Sequence, residues 1–173
     1  MFWLVDWSKT KLPWWLLFTC SSLLVASALY FQHALGHSPC VKCIYQRTAM
    51  VTLALSAGLP LIYMHIVTRL LSITVWLAAS VWGLYVANSH VELIFFEGFF
   101  MPPCPIEPNF PSFMPLHNWL PAIFDATGEC NDNRWQFLNM GMAEWMRIIF
   151  SGFALTASAV AISYIIRFRQ VAK

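Results

Sequence analysis

The chain has 173 residues, of which 59% are hydrophobic and only 10% charged, with a formal net charge of +2. Soluble domains carry about 25% charged residues, so this composition excludes an ordinary soluble protein and points to lipid as the solvent. The small positive balance forms no basic stripe, which argues against a nucleic-acid partner, and the length suits one compact domain.

In chain order, Lys9 and Lys11 precede a first apolar run, Trp14–Phe31. No small-residue cleavage site follows it and three more runs do, so it reads as a retained span and not a signal peptide. The others are Ile44–Met64, Leu70–Ala87 and Trp145–Ile166, each close to the roughly 20 residues that cross a bilayer as a helix. Lone strands leave backbone groups unsatisfied in lipid. The expected fold is therefore all-α, a single four-span membrane domain over residues 1–173 built as an antiparallel four-helix transmembrane bundle. Lys9, Lys11, Arg69, Arg167, Arg169 and Lys173 fall on the side of the termini, and Glu92, Glu97, Glu107, Asp125, Glu129, Asp132 and Glu144 on the other. Positive charge on short loops stays cytoplasmic, so both termini are expected inside, with loops 32–43 and 88–144 outside.

Four of the five cysteines lie on that outer side. Cys20, in the middle of the first run, reads as a small buried apolar residue. Cys40 and Cys43 stand in "SPCVKCIYQR", where the second run begins; Cys104 and Cys130 stand in the long loop. Four cysteines in an oxidising compartment read first as two disulfides, with three possible pairings. Zinc is the rival, but Cys104 and Cys130 are 26 apart, with no second tight pair and no histidine at ligand spacing beside either. Haem attachment would need a histidine where Ile44 stands. A four-residue Cys40–Cys43 ring would stabilise by only about 2 kcal/mol, against roughly 3–4 for a ring of about 27 residues joining Cys104 and Cys130. Such a small ring is a poor staple and reads as an exchange site. Its place at a helix N-terminus, with Arg47 at i+4 from Cys43, favours a thiolate, and Lys42 between the cysteines adds to that. With no nucleotide fingerprint and no haem ligands, a membrane quinone is the simplest electron acceptor within reach.

The long loop is proline-rich. Pro102, Pro103 and Pro105 around Cys104 favour an extended segment. Leu116, Trp119, Leu120, Ile123 and Phe124 make one apolar face, predicting a short helix over Pro115–Phe124, interrupted at Pro121, that lies on the membrane or on the top of the bundle.

The stretches "YFQHALGHSPCVKCIYQR", the lone Cys104 among prolines, and "PLHNWLPAIFDATGECNDNRWQFLNMGMAEW" together resemble the bacterial disulfide bond formation protein B (DsbB) family, over essentially the whole chain. The resemblance implies an inner-membrane protein-dithiol:quinone oxidoreductase of disulfide bond formation. It implies that a Cys104–Cys130 disulfide accepts electrons from a periplasmic thioredoxin-fold (DsbA-like) thiol oxidase, with Cys104 forming the mixed disulfide. Cys40–Cys43 then reoxidises that pair through a Cys40–Cys130 bond, and Cys43 delivers electrons to ubiquinone or menaquinone. Arg47, His90, Gln32 and His33 fall at positions associated with the quinone pocket. His37, Glu97 and His117 read as solvated loop residues. Two other readings are open: a membrane scaffold with two structural disulfides, and a vitamin K epoxide reductase-like quinone enzyme, whose active pair sits late in the chain, unlike the pair here.

Overall fold

The structure, a computed structural model, describes residues 2–96, 104–105, 107–131 and 135–171. Glu97, Pro102 and Pro103 lie outside these residues. A short α1 (Phe2–Trp7) precedes four long helices, α2 (Leu12–His33), α3 (Val41–Ile62), α4 (Ile66–Ile94) and, after the long loop, α7 (Met142–Val171). Helices α2, α4 and α7 are long and apolar enough to cross a membrane. At 1.5 Å per residue, a 22-residue helix such as α2 reaches about 33 Å, slightly more than a hydrocarbon core of about 30 Å. The equally long α3 is more polar, since its first two turns carry Lys42, Gln46, Arg47 and Thr48.

The helices outrun the hydrophobic runs that announce them. Helix α4 continues past Ala87 to Ile94, and α7 begins at Met142 rather than Trp145. Hydropathy marks where apolar residues stop, whereas backbone bonding decides where a helix stops. Ser89 and His90 are polar yet helical, because Lys42 and Gln46 of α3 meet them there. The loops therefore span 34–40 and 95–141, each shorter than expected. At its other end α3 stops at Ile62, two residues after Pro60, with Tyr63 already extended; Pro60 has no N–H to give the ladder. His65 opens α4, its ring accepting from the Val67 N–H while Thr68 Oγ1 accepts from the His65 N–H.

Helix α3 packs between α2 and α4, and α4 packs against α7. One buried cluster joins Trp14, Leu17, Ala57, Ile73, Val160 and Tyr164 near the termini, and a second joins Ala49, Met50, Leu53, Ala79, Ala87 and Phe150 midway. Gly83 lets α4 approach α7: a Cβ there would lie 2.2 Å from Phe150 Cε1. Small α1 is tied to α7 by a 2.7 Å bond between Ser8 Oγ and Tyr164 Oη and by an Arg167–Asp6 ion pair at 2.9 Å. The outward faces stay apolar, with Leu23, Leu55, Tyr85 and Leu155 exposed, as suits helices solvated by lipid tails. Cys20 belongs to this outward face. The expectation that it is buried is corrected: it is exposed on α2.

Between α4 and α7 the predicted Pro115–Phe124 helix is two single turns, α5 (Leu116–Trp119) and α6 (Pro121–Phe124), broken at Leu120. Phe124 is buried and α6 docks on α3, while Trp119 and Leu120 remain exposed. The segment thus rests on α3 through its second turn. An unpredicted hairpin of two-residue strands, β1 (Gln136–Phe137) and β2 (Met140–Gly141), leads into α7. Its turn residues Leu138 and Asn139 both have positive φ, 51° and 59°.

Candidate active site

The site forms where α3 begins. Gly36, at φ +68°, turns the chain back after α2, a conformation that costs glycine little. Pro39 follows, and Cys40 caps α3: its Sγ accepts the Cys43 backbone N–H at 3.2 Å. A sulfur in the N-cap position receives one of the free amides of the first turn and the positive end of the helix dipole. One turn on, Cys43 Sγ lies 2.8 Å from Cys40 Sγ. The Cys40 thiol, hydrogen-bonded to Cys43, holds the Cys43 pKa below the usual thiol range, with a smaller pull from the Arg47 charge and burial opposing. The same hydrogen bond, together with burial, pushes the Cys40 thiol up.

The loop between α4 and α7 lies directly on the loop between α2 and α3. The backbone N–H groups of Thr127 and Gly128 both donate to the Pro39 carbonyl, at 3.0 and 2.9 Å. Gly128 is needed for this approach, because a Cβ there would lie 2.2 Å from the Ser38 carbonyl oxygen. Two residues later Cys130, 4% exposed, forms a disulfide with Cys104. Cys40, Cys130 and Leu93 pack as one buried cluster against which Cys43 and Cys104 also rest. Cys40, Cys43, Cys104 and Cys130 therefore meet in one place.

His90 of α4 stands beneath this cluster and is 4% exposed. It is a buried helical residue, not part of a solvated loop. Its Nε2 faces the Cys130 carbonyl at 3.2 Å and Cys40 Sγ at 3.6 Å, while Gln46 Nε2 approaches its Nδ1 at 3.4 Å. Gln46, 3% exposed, was not singled out in the sequence. The available signal was a glutamine at i+3 from Cys43 inside an apolar run, where a polar side chain needs a partner. Lys42 does not turn toward the sulfurs; its Nζ donates to Ser89 Oγ at 3.0 Å.

Arg47 is 5% exposed. Its Nη1 donates to Gln32 Oε1 at 2.7 Å and to the Ile123 carbonyl. Gln32 and His33, at the end of α2, both reach the Ala122 carbonyl. These three residues therefore pin the α6 turn over the site. Tyr45 helps from the other side, its Oη accepting the Asn109 N–H at 2.8 Å and its ring meeting Phe110. His117 is not simply solvated, since it stacks on Phe110. His37 is exposed and meets Phe31.

A cavity of about 380 Å³ opens beside the sulfurs. Leu24, Val25, Phe31, Met50 and Met146 give it apolar walls, and Cys40, Cys43, Gln46, Arg47 and His90 line its polar end. Trp135, held edge-on to Phe31 at 5.4 Å by the hairpin segment, closes one side. The volume lies within the roughly 300–1,000 Å³ of small-molecule sites. Arg47 Nε is buried here and finds no hydrogen-bond partner among the described residues. An apolar slot with a guanidinium and a sulfur at its polar end fits a flat apolar ring that carries carbonyl oxygens, which is the chemistry of a quinone.

A helical membrane protein that gathers a dithiol and a disulfide at one end of its helices is, by fold and site, a membrane thiol–disulfide oxidoreductase. Residues 10–160 match the family described as "Disulfide bond formation protein DsbB". The chain is 42% identical over 157 residues to disulfide bond formation protein B of Pseudoalteromonas translucida (strain TAC 125), covering 90% of this chain and 91% of the relative. It is 41% identical over 162 residues to the protein of that name from Idiomarina loihiensis, covering 93% and 90%. It is 33% identical over 173 residues to the one from Haemophilus influenzae (strain Rd), covering 96% and 94%. The chain belongs to the disulfide bond formation protein DsbB family, and is a disulfide-forming membrane oxidoreductase.

Proposed function

We propose that the protein reoxidises a periplasmic, thioredoxin-fold dithiol oxidase (DsbA-like) and passes its two electrons through two cysteine pairs to ubiquinone or menaquinone. The observation that carries this reading is the meeting of all four outer cysteines at the mouth of the 380 Å³ cavity. In this reading α2, α3, α4 and α7 form an antiparallel four-span bundle in the bacterial inner membrane. Both termini are cytoplasmic, the cysteine loops are periplasmic, and residues 1–173 form one domain. The α5–α6 segment lies at the lipid boundary, where exposed Trp119 and Leu120 suit the headgroup region.

The steps follow from sulfur chemistry. A partner thiolate attacks Cys104, the half-exposed end of the Cys104–Cys130 bond, and Cys130 leaves as thiolate. The partner's second thiol then releases Cys104 as a thiol and departs as a disulfide. Cys130 attacks Cys40 of an oxidised Cys40–Cys43 pair, forming a Cys40–Cys130 bond and freeing Cys43 as thiolate. Cys104 resolves that bond, which restores Cys104–Cys130 and leaves Cys40 and Cys43 reduced. When bound, a quinone accepts the two electrons and two protons of that dithiol and so restores the Cys40–Cys43 bond. The Cys40 thiol, the first-turn amides and the Arg47 charge all favour Cys43 as the thiolate, and the Arg47 guanidinium, with His90 and Gln46, provides the polar end of the slot. Gln32 and His33 keep the α6 turn closed over it by holding the Ala122 carbonyl.

The test uses the purified protein in detergent with a reduced thioredoxin-fold oxidase and a soluble quinone analogue. Loss of quinone absorbance should depend on all four outer cysteines. Cys43→Ser should stop quinone reduction, and Cys104→Ser should stop exchange with the partner; normal partner oxidation by Cys104→Ser would refute the relay.

A further inference from the structure

Along the sequence, the nearest histidine to the pair is His37, three residues before Cys40, and its exposed ring meets Phe31. The fold supplies a buried one from another helix. His90 Nε2 lies 3.6 Å from Cys40 Sγ, and the donor atoms of Cys40, Cys43 and His90 all fall within 4.8 Å of one another. We propose that the reduced Cys40–Cys43 dithiol and His90 together form a binding site for a thiophilic divalent cation of the Zn²⁺ type, present only while that pair is reduced.

The geometry is close to what such an ion needs. Zn–S bonds of about 2.3 Å and Zn–N bonds of about 2.0–2.1 Å in a tetrahedron put ligand atoms roughly 3.6–3.8 Å apart. The Cys40–His90 edge already has that length, and Cys43 lies within 4.8 Å of His90. The sulfur–sulfur edge is 2.8 Å and must open by about 1 Å to reach it. Cys43 has room for this, since its side chain is only half-buried and borders the cavity. Cys40 is fixed as the helix cap and His90 by its neighbours, so two of the three ligands are already positioned.

The surroundings suit a metal as well. Gln46, buried at 3.4 Å from His90 Nδ1, stands where a ligating histidine usually keeps its outer partner. On binding, Nε2 exchanges the Cys130 carbonyl for the ion, and the Gln46 amide turns its oxygen to the Nδ1–H. Two thiolates and one neutral imidazole balance a divalent charge, so the complex buries no net charge under the loop. Two sulfur ligands select Zn²⁺-like ions over Mg²⁺ and Ca²⁺. The fourth position faces the cavity and is open to water or another small ligand. Both thiols give up their protons on binding, and a Cys40–Cys43 disulfide offers no thiolate at all. An occupied site would hold the electron-donating sulfurs and arrest the protein in its reduced form until a chelator removes the ion.

The inference does not rest on the relay, because metal binding is read without turnover. The experiment uses the full chain in detergent with Cys104→Ser and Cys130→Ser, so that the second pair cannot contribute ligands. Reduced with a phosphine and freed of excess reductant, it is titrated with Zn²⁺ against a chromophoric chelator. One ion per chain is expected, none when Cys40–Cys43 is oxidised, and at least about tenfold weaker binding in His90→Ala and His90→Gln, with unchanged helical circular dichroism. Co²⁺ added in place of Zn²⁺ should give thiolate-to-metal charge-transfer absorption that Cys43→Ser removes. Failure of the reduced chain to take up stoichiometric Zn²⁺, or affinity unchanged in either folded His90 variant, would overturn the proposal.

Discussion

Gly128→Ala isolates the contact between the two outer loops. The added Cβ would sit 2.2 Å from the Ser38 carbonyl oxygen and 3.2 Å from the Pro39 carbonyl carbon, whereas real Cβ atoms essentially never come closer than 3.0 Å to another heavy atom. The obstacle is backbone on both sides, so no side chain can swing away and the loops must part by about 0.8 Å. The Thr127 and Gly128 bonds to Pro39, now 3.0 and 2.9 Å, then stretch beyond useful length. Each such bond contributes about 0.5–1.5 kcal/mol, so losing both costs roughly 1–3 kcal/mol of loop docking. That lowers the docked population relative to the undocked one about 5- to 150-fold. The assay is disulfide formation between Cys40 and Cys130 in a Cys43→Ser/Cys104→Ser background, followed by gel mobility after alkylation. Gly128→Ala should slow this bond by a factor in that range, while Gly152→Ala, whose Cβ would meet nothing within 4 Å, should not. An unchanged rate in Gly128→Ala would refute the argument that backbone contact at Pro39 brings Cys130 to Cys40.

Other outcomes follow from the same geometry. Arg47→Leu removes a charged donor worth about 1.5–3 kcal/mol; the KM for a soluble quinone analogue should rise tenfold or more, while exchange between Cys104 and the partner proceeds as before. Gly83→Ala gains helix propensity but drives a methyl into the Phe150 ring; overpacking of about 1–3 kcal/mol wins, and thermal unfolding in detergent should shift several degrees downward. In the reduced protein, Cys43 has a lowered pKa and Cys40 a raised one. A lowered pKa brings the thiolate in at lower pH, so iodoacetamide should label Cys43 below the usual thiol range while Cys40 stays unreactive. Arg47→Leu should move the onset for Cys43 to higher pH, and equal labelling of both cysteines across the pH range would contradict the assignment.

The sequence made some parts of this site readable and hid others for physical reasons. The long apolar runs gave the helices, because hydropathy and helix formation coincide in lipid. They misplaced the ends, because Ser89, His90 and Glu92 lower hydropathy without breaking backbone bonds. Cys20 was misjudged for a related reason: a protein core and a lipid tail are equally apolar, so composition does not say which one a side chain faces. Arg47 was legible at i+4 from Cys43, since both ends of that relation lie on one helix. Gln46 meeting His90, and Gly128 meeting Ser38, pair residues 44 and 90 positions apart, and no local pattern encodes such a pairing. The hairpin before α7 was hidden because Leu138 and Asn139 adopt positive φ without the glycine that usually signals it.

The direction of the proposed relay is a matter of who must reach which sulfur. A protein partner needs a sulfur that another chain can approach, and Cys104 is the less buried half of its disulfide, while Cys130 is 4% exposed. The internal transfer needs two sulfurs shielded from stray thiols; Cys130 and Cys40, the latter 2% exposed, are the most buried of the four. The last sulfur must meet a small molecule but no protein. Cys43 satisfies this by bordering a cavity walled by Leu24, Val25, Met50 and Met146, side chains that exclude water and admit an apolar ring. Burial thus sets Cys130 and Cys40 apart from Cys104 and Cys43, as the proposed order Cys104, Cys130, Cys40, Cys43 requires. The Arg47 charge points the same way in the proposed relay: it acts on Cys43, making it the better leaving group when Cys130 attacks Cys40.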